Sequence, residues 1–134
     1  MNRYVLDSYA MIAFFENEPG AQRVDDILGQ LIRKEATAFM SVVNWGEMYY
    51  NTMREQGVDT AEMVIEQFNK YPVQLVDADR AQTYEAAKLK AIYKIAYADC
   101  FAAALSLRLK APLITGDPEF RKLDDRIDVQ WIHA

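Results

Sequence analysis

The sequence is poor in most of the residue types that do chemistry. Of its 134 residues only Cys100 is a cysteine and only His133 a histidine. One thiol excludes an internal disulfide framework and a cysteine-rich zinc site. Set in Ala98-Asp99-Cys100-Phe101-Ala102, it reads as a buried structural thiol, and nothing marks His133 as a base for it. Neither Gly-x-Gly-x-x-Gly nor Gly-x-x-x-x-Gly-Lys-Ser/Thr occurs, so the common nucleotide-binding loops are missing. Long apolar runs are missing too. Residues 11–15 fall far short of the roughly 20 needed to span a bilayer. Asp7 interrupts the opening segment where a signal peptide needs an unbroken apolar stretch. The expectation is a cytoplasmic protein with no membrane contact. No repeat, low-complexity tract or linker divides the chain, so one domain over 1–134 is expected.

What is present is a core and an excess of acid. Hydrophobic residues make up 51% of the chain, and 20 acids against 15 bases give a net charge of −5. That balance disfavours a nucleic-acid surface, but it is uneven: residues 1–79 hold 13 acids and 6 bases, residues 80–134 hold 7 acids and 9 bases.

Short β-rich runs alternate with helical periodicity. Strands are expected at 3–6, 37–40, 73–76, 113–115 and 129–132. Between them, Ser8 can cap a helix reaching about Glu16, and Pro19-Gly20 breaks it. Val24, Ile27, Leu28, Leu31 and Ile32 recur at helical spacing over 21–33. Ser41 or Asn44 opens a helix stopped by Gly57. Asp59 or Thr60 caps one that ends near Tyr71-Pro72, and Asp79 caps one carrying Ala81, Tyr84, Ala87, Leu89 and Ile92. A helix over 98–109 is apolar almost all round, hence central and buried. Strands separated by helices imply right-handed crossovers, and so an α/β fold: a three-layer α/β/α sandwich around a mainly parallel, roughly five-stranded sheet. Ligands of such sheets gather beyond the carboxyl ends of the strands.

Four acids stand out against that frame. Asp7 follows the first strand and Asp117 the fourth, in Thr115-Gly116-Asp117. Asp99 lies in the first turn of the apolar helix. Glu47, in Asn44-Trp45-Gly46-Glu47-Met48-Tyr49-Tyr50, is expected in the first turn after a strand. Carboxylates are rarely buried unless paired or bound to metal, so four acids in apolar settings at one sheet edge suggest a shared cation. Mg²⁺ takes such oxygen ligands, with Mn²⁺ as its natural substitute. Each acid also has a structural reading: Asp7 and Asp99 as cap or first-turn acids, Asp117 as a turn former before Pro118, Glu47 as an ion-pair partner. Glu16, Glu18, Asp25, Asp26, Glu62 and Glu66 read as solvated helix faces.

The segments Val5-Leu6-Asp7-Ser8-Tyr9-Ala10, Glu18-Pro19-Gly20, Asn44-Trp45-Gly46-Glu47, Ala96-Tyr97-Ala98-Asp99 and Thr115-Gly116-Asp117-Pro118-Glu119-Phe120 together resemble the PIN-domain family, in particular its VapC-like toxins. The last two segments, at this separation, are the most specific. The resemblance implies an Mg²⁺- or Mn²⁺-dependent endoribonuclease that leaves 5′-phosphate and 3′-hydroxyl ends. Asp7, Glu47, Asp99 and Asp117 would form its acidic cluster. Thr115 would orient a carboxylate or water, Glu119 offers a fifth acid, and Ser8 either positions a water or caps its helix. A homodimer silenced by a cognate antitoxin is implied as well. For an RNA substrate, Lys88, Lys90 and Lys94 are the candidate phosphate contacts, a solvated helix face being the alternative. The aromatics Trp45, Tyr49, Tyr50 and Tyr97 are candidates for base stacking or for packing. Two other functions stay open: a metal-dependent nuclease or phosphatase acting on a non-RNA substrate, and a catalytically silent binding partner.

Overall fold

In the computed structural model, which describes residues 1–133, the five expected strands form one sheet in the order β3-β2-β1-β4-β5, every neighbouring pair parallel. The elements run β1 (Asn2–Leu6), α1 (Ser8–Phe15), α2 (Ala21–Ile32), β2 (Ala36–Ser41), α3 (Val42–Gln56), α4 (Val58–Phe68), β3 (Val73–Val76), α5 (Arg80–Ile92), α6 (Tyr97–Leu109), β4 (Leu113–Thr115) and β5 (Val129–Trp131), with a 3₁₀ segment Pro118–Leu123 before the last strand.

Side chains of β1 alternate between two cores, as a pleated strand requires. Tyr4 and Leu6 join Val24, Ile27, Leu28, Met40 and Ile114 on one face. Val5 joins Phe101, Leu105, Leu113 and Phe120 on the other. The central strands β1 and β4, buried on both faces, read as apolar runs, whereas the edge strands β3 and β5 are only partly buried. Helix α6 packs across β1, β2 and β4, and its residues from Asp99 to Ser106 are all buried. This is the central helix expected from its composition.

The chain winds outward from β1 to β3, then crosses to β4 on the other side of β1. The sheet's switch point therefore lies between β1 and β4, and a crevice opens there at the carboxyl ends. Gly20 closes the α1–α2 turn at φ +96, where an added Cβ would stand 2.5 Å from Ile132 Cγ1.

Several boundaries move. Ser41 rather than Asn44 caps α3, accepting from the Val43 N–H at 3.2 Å. Gly57, at φ +92, precedes α4 in place of a capping Asp59 or Thr60. That helix stops at Phe68, short of Tyr71. The 3₁₀ segment was not foreseen, although buried Phe120 and Leu123, three apart, fit its three-residue period. Among the described residues no helix is long and apolar enough to cross a membrane.

Candidate metal centre

Asp7 leaves β1 at the switch point. One oxygen caps α1, accepting from the Ala10 N–H at 2.9 Å. The other accepts from the Thr115 hydroxyl at 2.5 Å. The capping role expected of Ser8 thus belongs to Asp7, so the structural reading of Asp7 as a helix cap holds. With 2% of its surface exposed, Asp7 is desolvated, and burial lifts its pKa to about 8. The bonds from Thr115 and Ala10 pull it down. The charges of Asp99 and Asp117 push it up.

Thr115, fully buried at the end of β4, also accepts from the Asp117 N–H at 3.0 Å. Its hydroxyl therefore links the carboxylate leaving β1 to the backbone leaving β4. Asp117 in turn caps the 3₁₀ segment, accepting from the Glu119 N–H at 3.0 Å.

Asp99 is the third residue of α6 and 6% exposed. Burial raises its pKa to about 7, with the charges of Asp117, Glu47 and Glu119 adding in that order. It has no cationic partner: the ion pairs among the described residues are Arg33–Glu35, Lys88–Glu85 and Lys122–Glu119. Because α3 starts at Val42, Glu47 sits in its second turn rather than the first. Ser8 donates its hydroxyl to Glu47, so Ser8 serves an acid of the cluster.

These groups border an open cleft of about 900 Å³. Ser8, Glu47, Asp99, Asp117 and Glu119 line it; Asp7 is buried and not part of the lining, although the charges of Asp99 and Asp117 reach it. Glu16 and Glu18 are exposed, as expected, and border the open cleft together with Glu55. Asp25, Asp26, Glu62 and Glu66 are exposed as expected.

The lysines divide. Lys94 lines the cleft with Lys122, which the sequence reading passed over. Lys122 donates to Glu119 at 2.7 Å and to the Lys94 carbonyl at 2.8 Å. Lys90 donates to the Ile95 carbonyl at 2.7 Å, fixing the turn ahead of α6. Lys88 pairs with Glu85 at 3.1 Å, lies over the Tyr84 ring and borders a separate groove between α5 and α6. Tyr9, also missed, lines the cleft and bonds through its hydroxyl to His133 Nε2 at 3.1 Å. Gly116 makes room for this pair, since a Cβ there would stand 2.4 Å from Tyr9 Cε1 and 2.6 Å from His133 Nε2.

The donors fit a hard divalent cation. They are carboxylate and hydroxyl oxygens, and Asp99 is desolvated without a compensating charge. Among the described residues no three Asp, Glu, His or Cys side chains already close on a single point. Mg²⁺ does not require that, because it keeps several waters and takes one or two carboxylates.

A family model described as the PIN domain matches residues 4–126. No curated protein matches significantly. Similar solved structures include the VapBC2 complex of Rickettsia felis bound to a promoter DNA fragment (TM-score 0.73, 15% identity, covering 96% of this chain and 98% of that one). The DNA-bound VapBC of Salmonella typhimurium gives a TM-score of 0.74 at 14% identity, covering 98% and 99%. The sarcin–ricin-loop-cleaving toxin VapC20 of Mycobacterium tuberculosis gives 0.72 at 11%, covering 92% and 95%. At these identities the likeness is one of fold.

Proposed function

The chain belongs to the PIN-domain family, and from that premise we propose that it is an Mg²⁺-dependent endoribonuclease, Mn²⁺ substituting, and the toxin of a toxin–antitoxin pair. One observation carries the reading: two carboxylic acids, Asp7 and Asp99, are buried without a cation at the switch point of a parallel sheet, among further acids on an open cleft. Desolvated carboxylates there cost stability unless something positive joins them.

One or two of Asp99, Asp117 and Glu47 would hold the cation directly, and the remaining acids, Asp7 among them, would hold it through its waters. When bound there, a divalent cation would supply charge neutralisation for a phosphodiester and a water of lowered pKa for in-line attack. The chain's own residues prepare that site. Thr115 fixes the Asp7 carboxylate and the Asp117 backbone with one hydroxyl. Ser8 orients Glu47. Glu119 is held by Lys122. Lys94 and Lys122 are the cations of the cleft wall and meet the flanking phosphates. Water adds to phosphorus, the 3′ oxygen leaves with a proton, and the phosphate remains on the 5′ oxygen.

An acid-rich cleft complements a basic side chain as well as a metal, which supports an antitoxin segment as the silencing partner. A homodimer is the assembly to be tested by light scattering. The deciding experiment incubates cellular RNA with the purified, partner-free protein in Mg²⁺, Mn²⁺ or EDTA, beside Asp99→Asn. Discrete fragments that vanish with EDTA and with the variant support the proposal. Intact RNA from folded, metal-loaded protein would refute it and favour another phosphoester or pure binding.

A further inference from the structure

The first turn of α6 carries Asp99, yet nothing on α6 caps that turn. Its N-cap is Ala96, which makes no side-chain bond. Helices α1, α3 and α5 are capped by Asp7, Ser41 and Asp79. A bond of a different kind reaches that turn from across the helix pair: Asn44 Nδ2, on α3, donates to the Ala98 carbonyl at 3.0 Å, which ties the turn to α3 without capping its free N–H groups. Ala98 adjoins Asp99, and Asn44 stands three residues before Glu47, one helical turn away on neighbouring parts of the surface. A single hydrogen bond thus joins the helix of Glu47 to the residue beside Asp99.

The bond is a poor choice for stability alone. Asn44 is fully buried, and its Oδ1 has no partner among the described residues. A half-satisfied buried amide is disfavoured against an apolar side chain of similar size. Met48 and Thr52 continue the same buried stripe at i+4 and i+8. Thr52 donates only within its own helix, to the Met48 carbonyl at 2.8 Å. Of the two polar residues on that stripe, Asn44 alone reaches another element.

We infer that Asn44 is a positioning residue: its amide sets the first turn of α6 against α3, and so sets the gap between Asp99 and Glu47 across which a divalent cation is shared. The inference rests on the metal reading proposed above.

The test is direct Mn²⁺ binding, followed by the electron paramagnetic resonance signal of free Mn²⁺, with thermal unfolding in parallel. The proteins are wild type, Asn44→Ala, Asn44→Ser and Thr52→Ala. Asn44→Ser keeps the site polar but cannot reach Ala98, and it covers the case that Asn44→Ala fails to fold. Both Asn44 variants are expected to weaken Mn²⁺ binding about tenfold. Thr52→Ala, which removes a buried hydroxyl from the same stripe, is expected to lower Tm while changing affinity less than about twofold. Unchanged affinity in the Asn44 variants, or an equal loss in Thr52→Ala, overturns the positioning role and leaves the metal reading standing. Wild type that binds no Mn²⁺ overturns both.

Discussion

Replacing Asp7 by asparagine separates the burden of a buried charge from its use. In the folded chain the Asp7 pKa is raised from 3.8 to about 8. The metal-free protein therefore holds a proton there that the unfolded chain releases near pH 4. Stability linked to this group is fully present below the unfolded value and is lost as pH rises through the folded one. Between pH 5 and 8 that loss integrates to about 4 kcal/mol, using about 1.4 kcal/mol per pH unit. This is a sizeable share of the 5–15 kcal/mol typical of a domain, and it corresponds to a Tm drop of about 10 °C. Asp99, raised to about 7, acts in the same direction. Asp7→Asn is nearly isosteric: its amide oxygen can still accept from Ala10, and its NH₂ can face the Thr115 oxygen. It abolishes the Asp7 contribution, so its Tm in EDTA should fall distinctly less from pH 5 to 8. Wild type should regain about 2–3 kcal/mol with Mg²⁺ at about 100 times its Kd, and the variant should regain little. Calorimetry across pH with EDTA or Mg²⁺ reads all four states. A wild-type Tm independent of pH in EDTA, or a variant that falls in parallel with it, would refute the reasoning.

Other expectations follow from the same geometry. Asp99→Asn and Asp117→Asn should retain the wild-type circular dichroism spectrum and lose RNA cleavage by at least about 100-fold; cleavage retained by either would remove that acid from the site. Thr115→Val deletes the bond that lowers the Asp7 pKa, so the pH midpoint of Mn²⁺ binding should move upward, and a downward shift would contradict the assigned sign. Gly116→Ala drives a methyl into Tyr9 and His133 and should destabilise by about 1–3 kcal/mol, with Tyr9→Ala recovering part of the loss; additive losses would mean the two do not meet. Charge reversal at Lys94 should weaken RNA binding with a reduced salt slope, whereas reversal at Lys88 should leave it near wild type; equal effects would place the Lys88 groove in the RNA path.

Much of the candidate site was legible because its residues occupy positions with fixed topological meaning. An acid directly after a buried strand stands at a carboxyl edge, and parallel pairing puts all such edges on one side. The positions of Asp7 and Asp117 therefore follow from the order of the strands alone. Asp99 was legible through contrast, as one carboxylate in a helix otherwise apolar all round. Glu47 was found as a residue but put one turn too early, since Ser41 and Asn44 are both acceptable caps and only the backbone chose Ser41.

Local sequence fixed periodicity, burial and the order of elements, because alternation with period 2 or 3.6 is a property of neighbouring residues. It could not fix what depends on distant parts of the chain meeting. The strand order that sets β4 beside β1 brings the Thr115 hydroxyl to Asp7 across 108 residues. Packing of α3 against α6 likewise lays Asn44 against Ala98 across 54 residues. Hydrogen bonds between elements depend on packing distances of a few tenths of an ångström, and those belong to the tertiary structure alone.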